Sequence, residues 1–204
     1  MTQVYVPGAC SVAIKCKDGV VLGNDNRVIW GYTVSNKNTK KVFKLTDKIG
    51  LTAYGLVGDF QTIVKIMRAQ AKLFKLREGV DISVKAMAKM IANTLYDRKM
   101  FPYYVNLAVA GIDEEGAQVW TMDAIGSLMP DNYGVGGSSA TMAVGILEAE
   151  YSEDMTVEEG KALMEKTIKA AVKRDAMAGN GMDILVITKS GVEEYSKAFE
   201  EMGE

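Results

Sequence analysis

The spacing of apolar residues changes along the chain, and each spacing predicts one type of secondary structure. In the first third, short runs of β-branched and other apolar residues alternate with turn residues, which is typical of strands. The Lys17-Asp18-Gly19 triplet separates two such runs and predicts a hairpin in which glycine supplies a positive φ. A second turn is indicated at 36–38, where the sequence is Asn-Lys-Asn. This part of the chain therefore predicts antiparallel strands.

From Asp59 onward, the apolar spacing is that of an amphipathic helix. Apolar residues recur at helical intervals, at Phe60, Ile63, Val64, Met67, Ala71 and Phe74. A second helix is predicted behind Ser83, a residue type that favours the N-cap position. Later in the chain, one helix is predicted from about Ala140 to Tyr151. Another is predicted to begin at Thr156, which has a glutamate three residues later and so the form of a capping box.

Between and after these helix pairs, the chain returns to strands. VNLAVAGID and AQVWTMD predict two strands joined by an acidic turn that ends in Gly116. The last helix is predicted to end near residues 178–179, MDILVITK to form a fully buried strand, and GVEEYSKAF an edge strand or tail. This order of elements predicts two sheets packed face to face, with a helix pair on each outer side. We therefore expect an α+β fold, a four-layer αββα sandwich in one domain.

Composition narrows the chemistry that this domain can perform. The 204-residue chain is long enough to bury a core without disulfides or metals. Its 24 basic and 26 acidic residues give a net charge of −2, which provides no reason to expect nucleic acid or an anionic membrane as partner. The chain contains no histidine, which excludes Ser-His-Asp and Cys-His catalysis and HExxH zinc sites. We expect no cofactor and no metal.

The two cysteines and the chain start bear on the cellular compartment. Cys10 and Cys16 lie in one extended segment, too far apart to form a disulfide, and we expect both to be buried thiols. The start MTQVYVPG lacks the features of a signal peptide, and no apolar run reaches the length of a membrane span. These features predict a cytoplasmic protein.

Five blocks of sequence, in order and with matching spacing, resemble the β-type subunits of the archaeal 20S proteasome. They are CKDGVVLGNDNR, TKKVFKLTDKIGLTAYGLVGD, FPYYVNLAVAGIDEEG with TMDAIGSL, YGVGGSS, and KRDAMAGNGMDILVITKSG. The resemblance runs from Ala9 to about Glu194 and implies the αββα fold of N-terminal-nucleophile hydrolases. An α-type subunit would carry a long helical extension, whereas eight residues precede the first predicted strand. We therefore expect a prosegment-like extension over 1–8 and a single β-type domain over 9–204.

The resemblance also implies a chemistry that needs no histidine. In active members, the nucleophile is a threonine that becomes the N-terminus when the subunit cleaves its own prosegment after a glycine. The free α-amine, or a water held by it, serves as base. The family's supporting residues carry over onto six positions of this chain: an aspartate onto Asp25, the arginine two residues later onto Arg27, a lysine onto Lys41, the oxyanion-hole glycine onto Gly55, a serine onto Ser138 and a late aspartate onto Asp175.

The nucleophile position itself is Ala9. Alanine has no hydroxyl, so covalent catalysis is lost, and because self-cleavage needs the same hydroxyl, we expect the bond between Gly8 and Ala9 to remain intact. Two further departures support this interpretation. Ala178 replaces a small hydroxyl residue near the amine, and Ile29 replaces a groove threonine, so that with Trp30 the substrate groove is expected to be bulkier and less polar.

The sequence therefore predicts a non-catalytic β-type subunit of the 20S core particle, which contributes to ring assembly and to the chamber wall. The partners implied are α-type subunits, other β-type subunits including a catalytic one, and indirectly a regulatory ATPase. The alternative is a threonine-type endopeptidase β subunit whose nucleophile has been mutated to Ala9. A third hypothesis is a stand-alone ring hydrolase or binding protein with the same fold.

Two other residues could supply a nucleophile, and the sequence disfavours both. Cys10 would require cleavage one residue late and a strand shifted by one residue, which turns every side chain to the opposite face. Thr2 lies well before the site in the sequence.

The supporting residues also have structural interpretations. Asp25 and Lys41 would be retained as a buried ion pair, because the loss of one partner leaves an unpaired buried charge. Ser138 and its neighbour Ser139 are equally well explained as caps of the following helix.

Overall fold

A computed structural model of the protein describes residues 8–199. The predicted extension over 1–8 therefore lies outside the described residues, except for Gly8. The first half of the chain contains β1 (Ser11–Cys16), β2 (Gly19–Asp25), β3 (Val28–Trp30), β4 (Thr33–Asn36), β5 (Val42–Lys44), β6 (Ile49–Gly55), α1 (Val57–Glu78) and α2 (Val84–Tyr96). The second half contains β7 (Val105–Asp113), β8 (Gly116–Met122), β9 (Met129–Asp131), β10 (Tyr133–Gly136), α3 (Ala140–Glu150), α4 (Val157–Val172), β11 (Gly181–Thr188) and β12 (Gly191–Ala198).

These elements form two antiparallel sheets of five strands each. The first has the strand order β10-β1-β2-β11-β12 and the second β5-β6-β7-β8-β9, while β3 and β4 pair as a separate hairpin. The sheets face each other across a core of small and branched side chains, including Ala13, Leu22, Val119, Leu185 and Ile187. The predicted buried strand and edge strand are confirmed as β11 and β12.

Each sheet buries its outer face under one helix pair. Helices α1 and α2 cover the second sheet with a continuous apolar cluster, which contains Phe60, Met67, Met87, Ile91 and Leu95. Helices α3 and α4 cover the first sheet in the same way, with Leu147, Met164 and Ile168 in the cluster. The predicted αββα sandwich is thus confirmed. No helix within residues 8–199 has the length and apolar character to cross a membrane.

The hairpin before Gly19 was predicted correctly, but the reason given for the glycine was wrong. The hairpin at Lys17-Asp18-Gly19 forms as predicted, but Gly19 does not have the positive φ that was expected of it. A Cβ at Gly19 would lie 2.2 Å from the carbonyl oxygen of Ile187 and 2.9 Å from Cγ1 of Val157. Glycine is required there because β11 and helix α4 approach the backbone closely.

The predicted beginning of α4 is right and its predicted end is wrong. Thr156 and Glu159 form the capping box, with each side chain accepting from the other residue's backbone amide. The helix ends at Val172 instead of near residue 178. In the loop that follows, Oδ1 of Asp175 accepts from the backbone amide of Met177 at 2.8 Å. This side-chain bond offers the backbone an alternative to a further helical turn.

Candidate active site

The carboxylate of Asp25 lies at the end of β2 and is fully buried, with 0% of its surface exposed. Its Oδ1 accepts from the backbone amide of Cys10 and from Nζ of Lys41, both at 2.9 Å. Its Oδ2 accepts from the amides of Arg27 and Gly179, both at 3.0 Å. Four donors from separate segments therefore compensate the cost of burying this charge.

Lys41 reaches this carboxylate from the opposite sheet. It directly precedes β5, and its carbonyl accepts from the amide of Ala53 in β6 at 3.0 Å. Its side chain is 3% exposed. The ion pair with Asp25 thus joins the two sheets, and it brings together two of the residues predicted from sequence. Gly55 ends the same strand β6, at φ +128°, where a Cβ would lie 2.1 Å from the carbonyl oxygen of Tyr104.

Ala9 is fully buried next to this pair, and its backbone is held on both sides. Its amide donates to Oγ of Ser138 at 3.3 Å, and its carbonyl accepts from the amide of Ser139 at 3.2 Å. The hydroxyls of Ser138 and Ser139 both donate to Oδ2 of Asp175 at 2.5 Å. The structure therefore gathers Ser138 and Asp175 around Ala9, as the resemblance implies.

The same contacts correct the interpretation of the serines as helix caps. Ser139 occupies the N-cap position of α3, but its side chain makes no capping hydrogen bond. Both hydroxyl protons are committed to Asp175 instead, because a carboxylate is a stronger acceptor than a neutral backbone group. The serines thus connect α3 to the loop after α4.

Arg27 fixes that loop from the other side. Its Nε donates to Oδ1 of Asn180 at 2.8 Å, and a terminal nitrogen donates to the carbonyl of Ala176 at 2.9 Å. Asn180 is the described non-glycine residue with positive φ, at +68°. A Cβ at Gly179 would lie 2.6 Å from the Arg27 guanidinium. Arg27 therefore clamps the segment that carries Asp175, a role that the sequence did not reveal.

Ile29 and Trp30 face different surroundings on the β3–β4 hairpin. Ile29 is 8% exposed, whereas Trp30 is 74% exposed. The ladder between these strands is irregular at Val28 and Ile29. Within the described residues, Ile29 is therefore the inward-facing member of the predicted groove pair.

Ala178, the third departure from the family, is buried, and its amide donates weakly to the carbonyl of Asp175 at 3.4 Å.

The thiol of Cys10 lies directly beside the site but is poorly suited to attack. Burial raises its pKa to about 12, and the charges of Asp25 and Asp175 act in the same direction. Because the thiolate is the reactive form, a neutral thiol at ordinary pH is a poor nucleophile. The raised pKa thus agrees with the interpretation that Cys10 is not the nucleophile.

Sequence reasoning missed Tyr54, which precedes Gly55 on β6 and is half-buried. Its ring packs so closely on β10 that a Cβ at Gly136 would lie 2.1 Å from Cε1 of Tyr54. Burial raises the pKa of its phenol, and a hydrogen bond from the Gly137 amide opposes that rise. The available signal was a large aromatic residue directly before the predicted oxyanion glycine.

The facing sheets, the outer helix pairs and the buried aspartate–lysine pair between the sheets define the αββα sandwich class of N-terminal-nucleophile hydrolases. Residues 6–187 match the family described as "Proteasome subunit", and the chain belongs to this family as a β-type member. It is 39% identical over 197 residues to proteasome subunit beta 2 of Thermofilum pendens, covering 97% of this chain and 96% of that protein. It is 42% identical over 190 residues to proteasome subunit beta of Methanosphaera stadtmanae, covering 93% and 91%.

A third relative is similar over almost its whole length. Proteasome subunit beta 1 of Hyperthermus butylicus is 41% identical over 202 residues, which is 98% of each chain. Membership in the family implies that this chain assembles with other proteasome subunits in a core particle.

Proposed function

We propose that this chain is a non-catalytic β-type subunit, which acts through assembly and through its share of the chamber wall. The observation that carries the proposal is the side chain at position 9. Ala9 is enclosed by the same aspartate, lysine and serines that would serve a nucleophile, but it has no hydroxyl to deprotonate. An acyl-enzyme therefore cannot form at this position, and peptide bonds cannot be cleaved by this route.

The missing hydroxyl at Ala9 also removes the group needed for self-cleavage, so we expect an uncleaved junction, whose two residues are closely packed. A Cβ at Gly8 would lie 2.2 Å from the carbonyl oxygen of Met177, so this residue fits closely against the loop after α4. The amide of Ala9 donates to Oγ of Ser138 at 3.3 Å. With the Gly8–Ala9 bond intact, the α-amine that acts as base in active members is absent from the site as well.

The completeness of the surrounding network favours one alternative. Asp25, Lys41, Ser138 and Asp175 would serve an active threonine endopeptidase in which position 9 were threonine. Ala178 counts against that alternative, because the buried methyl group offers no hydroxyl to the amine region.

Helix α1 carries a surface that supports assembly. One face packs on the second sheet, while the opposite face carries Thr62, Ala69, Leu73 and Leu76, which are spaced by seven, four and three residues, and Val80 follows just after the helix ends. We call this the outer stripe. Leu73, Leu76 and Val80 are 58%, 83% and 60% exposed. The spacing is that of helix-to-helix packing, so we assign the outer stripe to a contact with a helix of a neighbouring subunit.

Charges beside the outer stripe favour a partner other than a second copy of α1. Lys65 and Lys72 flank it and form no ion pair within residues 8–199. Two copies of this face would bring like charges together. We therefore expect a different subunit of the particle at α1, with acidic flanking residues. We expect helix α3, which begins at Ala140, to face a neighbouring subunit as well.

The test is co-expression of this chain with an α-type subunit and a threonine-bearing β-type subunit. We expect it to enter the particle with its first eight residues attached, as measured by intact mass. Leu76→Asp on the outer stripe should abolish incorporation, while Gln61→Asp, exposed on the same helix outside the stripe, should not. A species that begins at Ala9 or Cys10, or a lone oligomer that never joins α-type subunits, would contradict the proposal.

The engineered-nucleophile alternative has its own measurement. If Ala9→Thr cleaves behind Gly8 and hydrolyses fluorogenic peptides, the alternative is supported. If the variant remains uncleaved and inactive, the additional departures at this site are part of the loss.

A further inference from the structure

Tyr54 projects into the gap between the two sheets. Thr52, two residues earlier on β6, lies on the same face of the strand. The hydroxyl of Thr52 is 3.0 Å from Oγ of Ser11 on β1, in the opposite sheet, which fixes the direction in which this face points. Gly55, the predicted oxyanion residue, follows Tyr54 directly. The phenol ring therefore enters the gap next to the site.

The ring fits against a matching glycine on the opposite sheet. A Cβ at Gly136 would lie 2.1 Å from Cε1, 2.7 Å from Cδ1 and 3.1 Å from Cζ of Tyr54. Gly136 pairs with Ser11 on β1, two residues beyond Ala9. A side chain at position 136 and a large ring at position 54 exclude each other, so the two residues form a sterically matched pair.

The far end of the ring reaches the turn that touches Ala9. The Gly137 amide lies close enough to the Tyr54 hydroxyl to oppose the rise in its pKa. A Cβ at Gly137 would lie 2.9 Å from Cβ of Ala9 and 2.2 Å from its carbonyl oxygen. The side chain of Tyr54 thus extends from the residue before Gly55 to Gly137, which touches Ala9. For attack at position 9, a peptide carbonyl would have to lie between Gly55 and Ala9.

On its other side, the ring borders open space. Tyr54 lines a cavity of about 430 Å³ between the sheets, together with Ser11, Gly136 and residues of β8 and β9. The ring therefore lies between this cavity and the backbone around Ala9.

We propose that Tyr54 closes the cleft beside Ala9 and forms a steric block to peptide binding, separate from the missing hydroxyl. This inference rests on the proposed function, because that proposal identifies the cleft as a former peptide site. Gly136 is the residue that makes room for the closed position.

The experiment measures access to position 9 with a thiol probe. In the full chain, Ala9→Cys is alkylated with iodoacetamide, and the rate at this position is followed by peptide mass spectrometry. The chain with the native Ala9 gives the background from Cys10 and Cys16, both of which are buried. We expect Tyr54→Ala to raise the rate at position 9 at least tenfold. Tyr54→Phe keeps the ring and should leave the rate within twofold.

A second variant keeps the test independent of folding. Tyr54→Ala combined with Gly136→Ala refills part of the space, and its cooperative unfolding transition shows that the sandwich is formed. It should show increased alkylation as well. The proposal is overturned if Tyr54→Ala leaves the rate unchanged, if Tyr54→Phe raises it equally, or if the probe already reacts as fast with Tyr54 present as in the unfolded chain.

These outcomes are separate from those that test the proposed function. Hydrolysis of peptides by the native chain, or cleavage at Gly8, would contradict a non-catalytic subunit whatever the alkylation rates. Conversely, unchanged alkylation rates would remove the steric block and leave the missing hydroxyl as the cause of inactivity.

Discussion

Replacement of Lys41 by methionine should destabilise the protein far more than the loss of an ordinary ion pair. Met has similar length and no charge, so the change leaves the Asp25 carboxylate buried without its counter-ion. The loss of one partner of a buried pair typically costs about 3–5 kcal/mol. Asp25 keeps three backbone amide donors, from Cys10, Arg27 and Gly179, so we expect the lower end, about 3 kcal/mol.

Urea unfolding of the purified chain at fixed protein concentration measures this loss. With a slope of about 2–3 kcal/mol per molar urea for a chain of this size, the midpoint should fall by about 1 M. Lys44→Met is the matched control, since Lys44 pairs with Asp47 at the surface, with 38% and 88% of the two side chains exposed. Its midpoint should move by less than about 0.5 M, because exposed pairs contribute about 0–1 kcal/mol.

A double-mutant cycle decides whether the two charges act as a unit. Asp25→Asn alone leaves the Lys41 ammonium, 3% exposed, without its partner and should cost a similar amount. Asp25→Asn with Lys41→Met should cost clearly less than the sum of the single changes, by about 2 kcal/mol. Additive losses, or a Lys41→Met shift no larger than that of Lys44→Met, would refute the reasoning.

Two further predictions concern the thiols and the α4 cap. Burial raises the pKa of Cys10 and Cys16 from 9.0 to about 12. Their contribution to the free energy of unfolding is therefore fully present below pH 9 and is lost as the pH rises towards 12, because the thiols of the unfolded chain ionise first. The double variant Cys10→Ala with Cys16→Ala should show a smaller decline of the urea midpoint over this pH range. Thr156→Ala removes the capping box of α4 and should cost about 1 kcal/mol, while Glu158→Ala, exposed in the same first turn, should change the midpoint little.

The layer order of the fold could be predicted from sequence because each layer has its own local period. The apolar spacing after Asp59 reports which face of α1 packs inward, and the nearly continuous apolar runs of β7 and β11 report strands that are buried on both faces. The end of α4 could not be predicted in this way. Residues 173–178 include alanines with high helix propensity, and the helix stops because the Asp175 side chain bonds to a nearby backbone amide.

At the site, the residue types were predictable and their partners were not. The resemblance gave Ser138 and Asp175 their positions, but a serine before a helix has two plausible acceptors, and only the fold brings Asp175 close enough to receive both hydroxyls. Tyr54 is harder still, since its position depends on a glycine in a distant strand of the other sheet. A single sequence carries no record of such a pairing.

A site without its nucleophile can still be required to keep its polar residues. Asp25 accepts hydrogen bonds from the amides of Cys10, Arg27 and Gly179 and from a lysine of the facing sheet. Its loss would therefore leave several buried donors without an acceptor. Position 9 is different. With alanine there, Lys41 still donates to Asp25 and Ser138 still donates to Asp175. Removal of the hydroxyl therefore breaks neither of these hydrogen bonds. The cost of burying charge therefore explains why catalysis can be lost at Ala9 while the surrounding network remains complete.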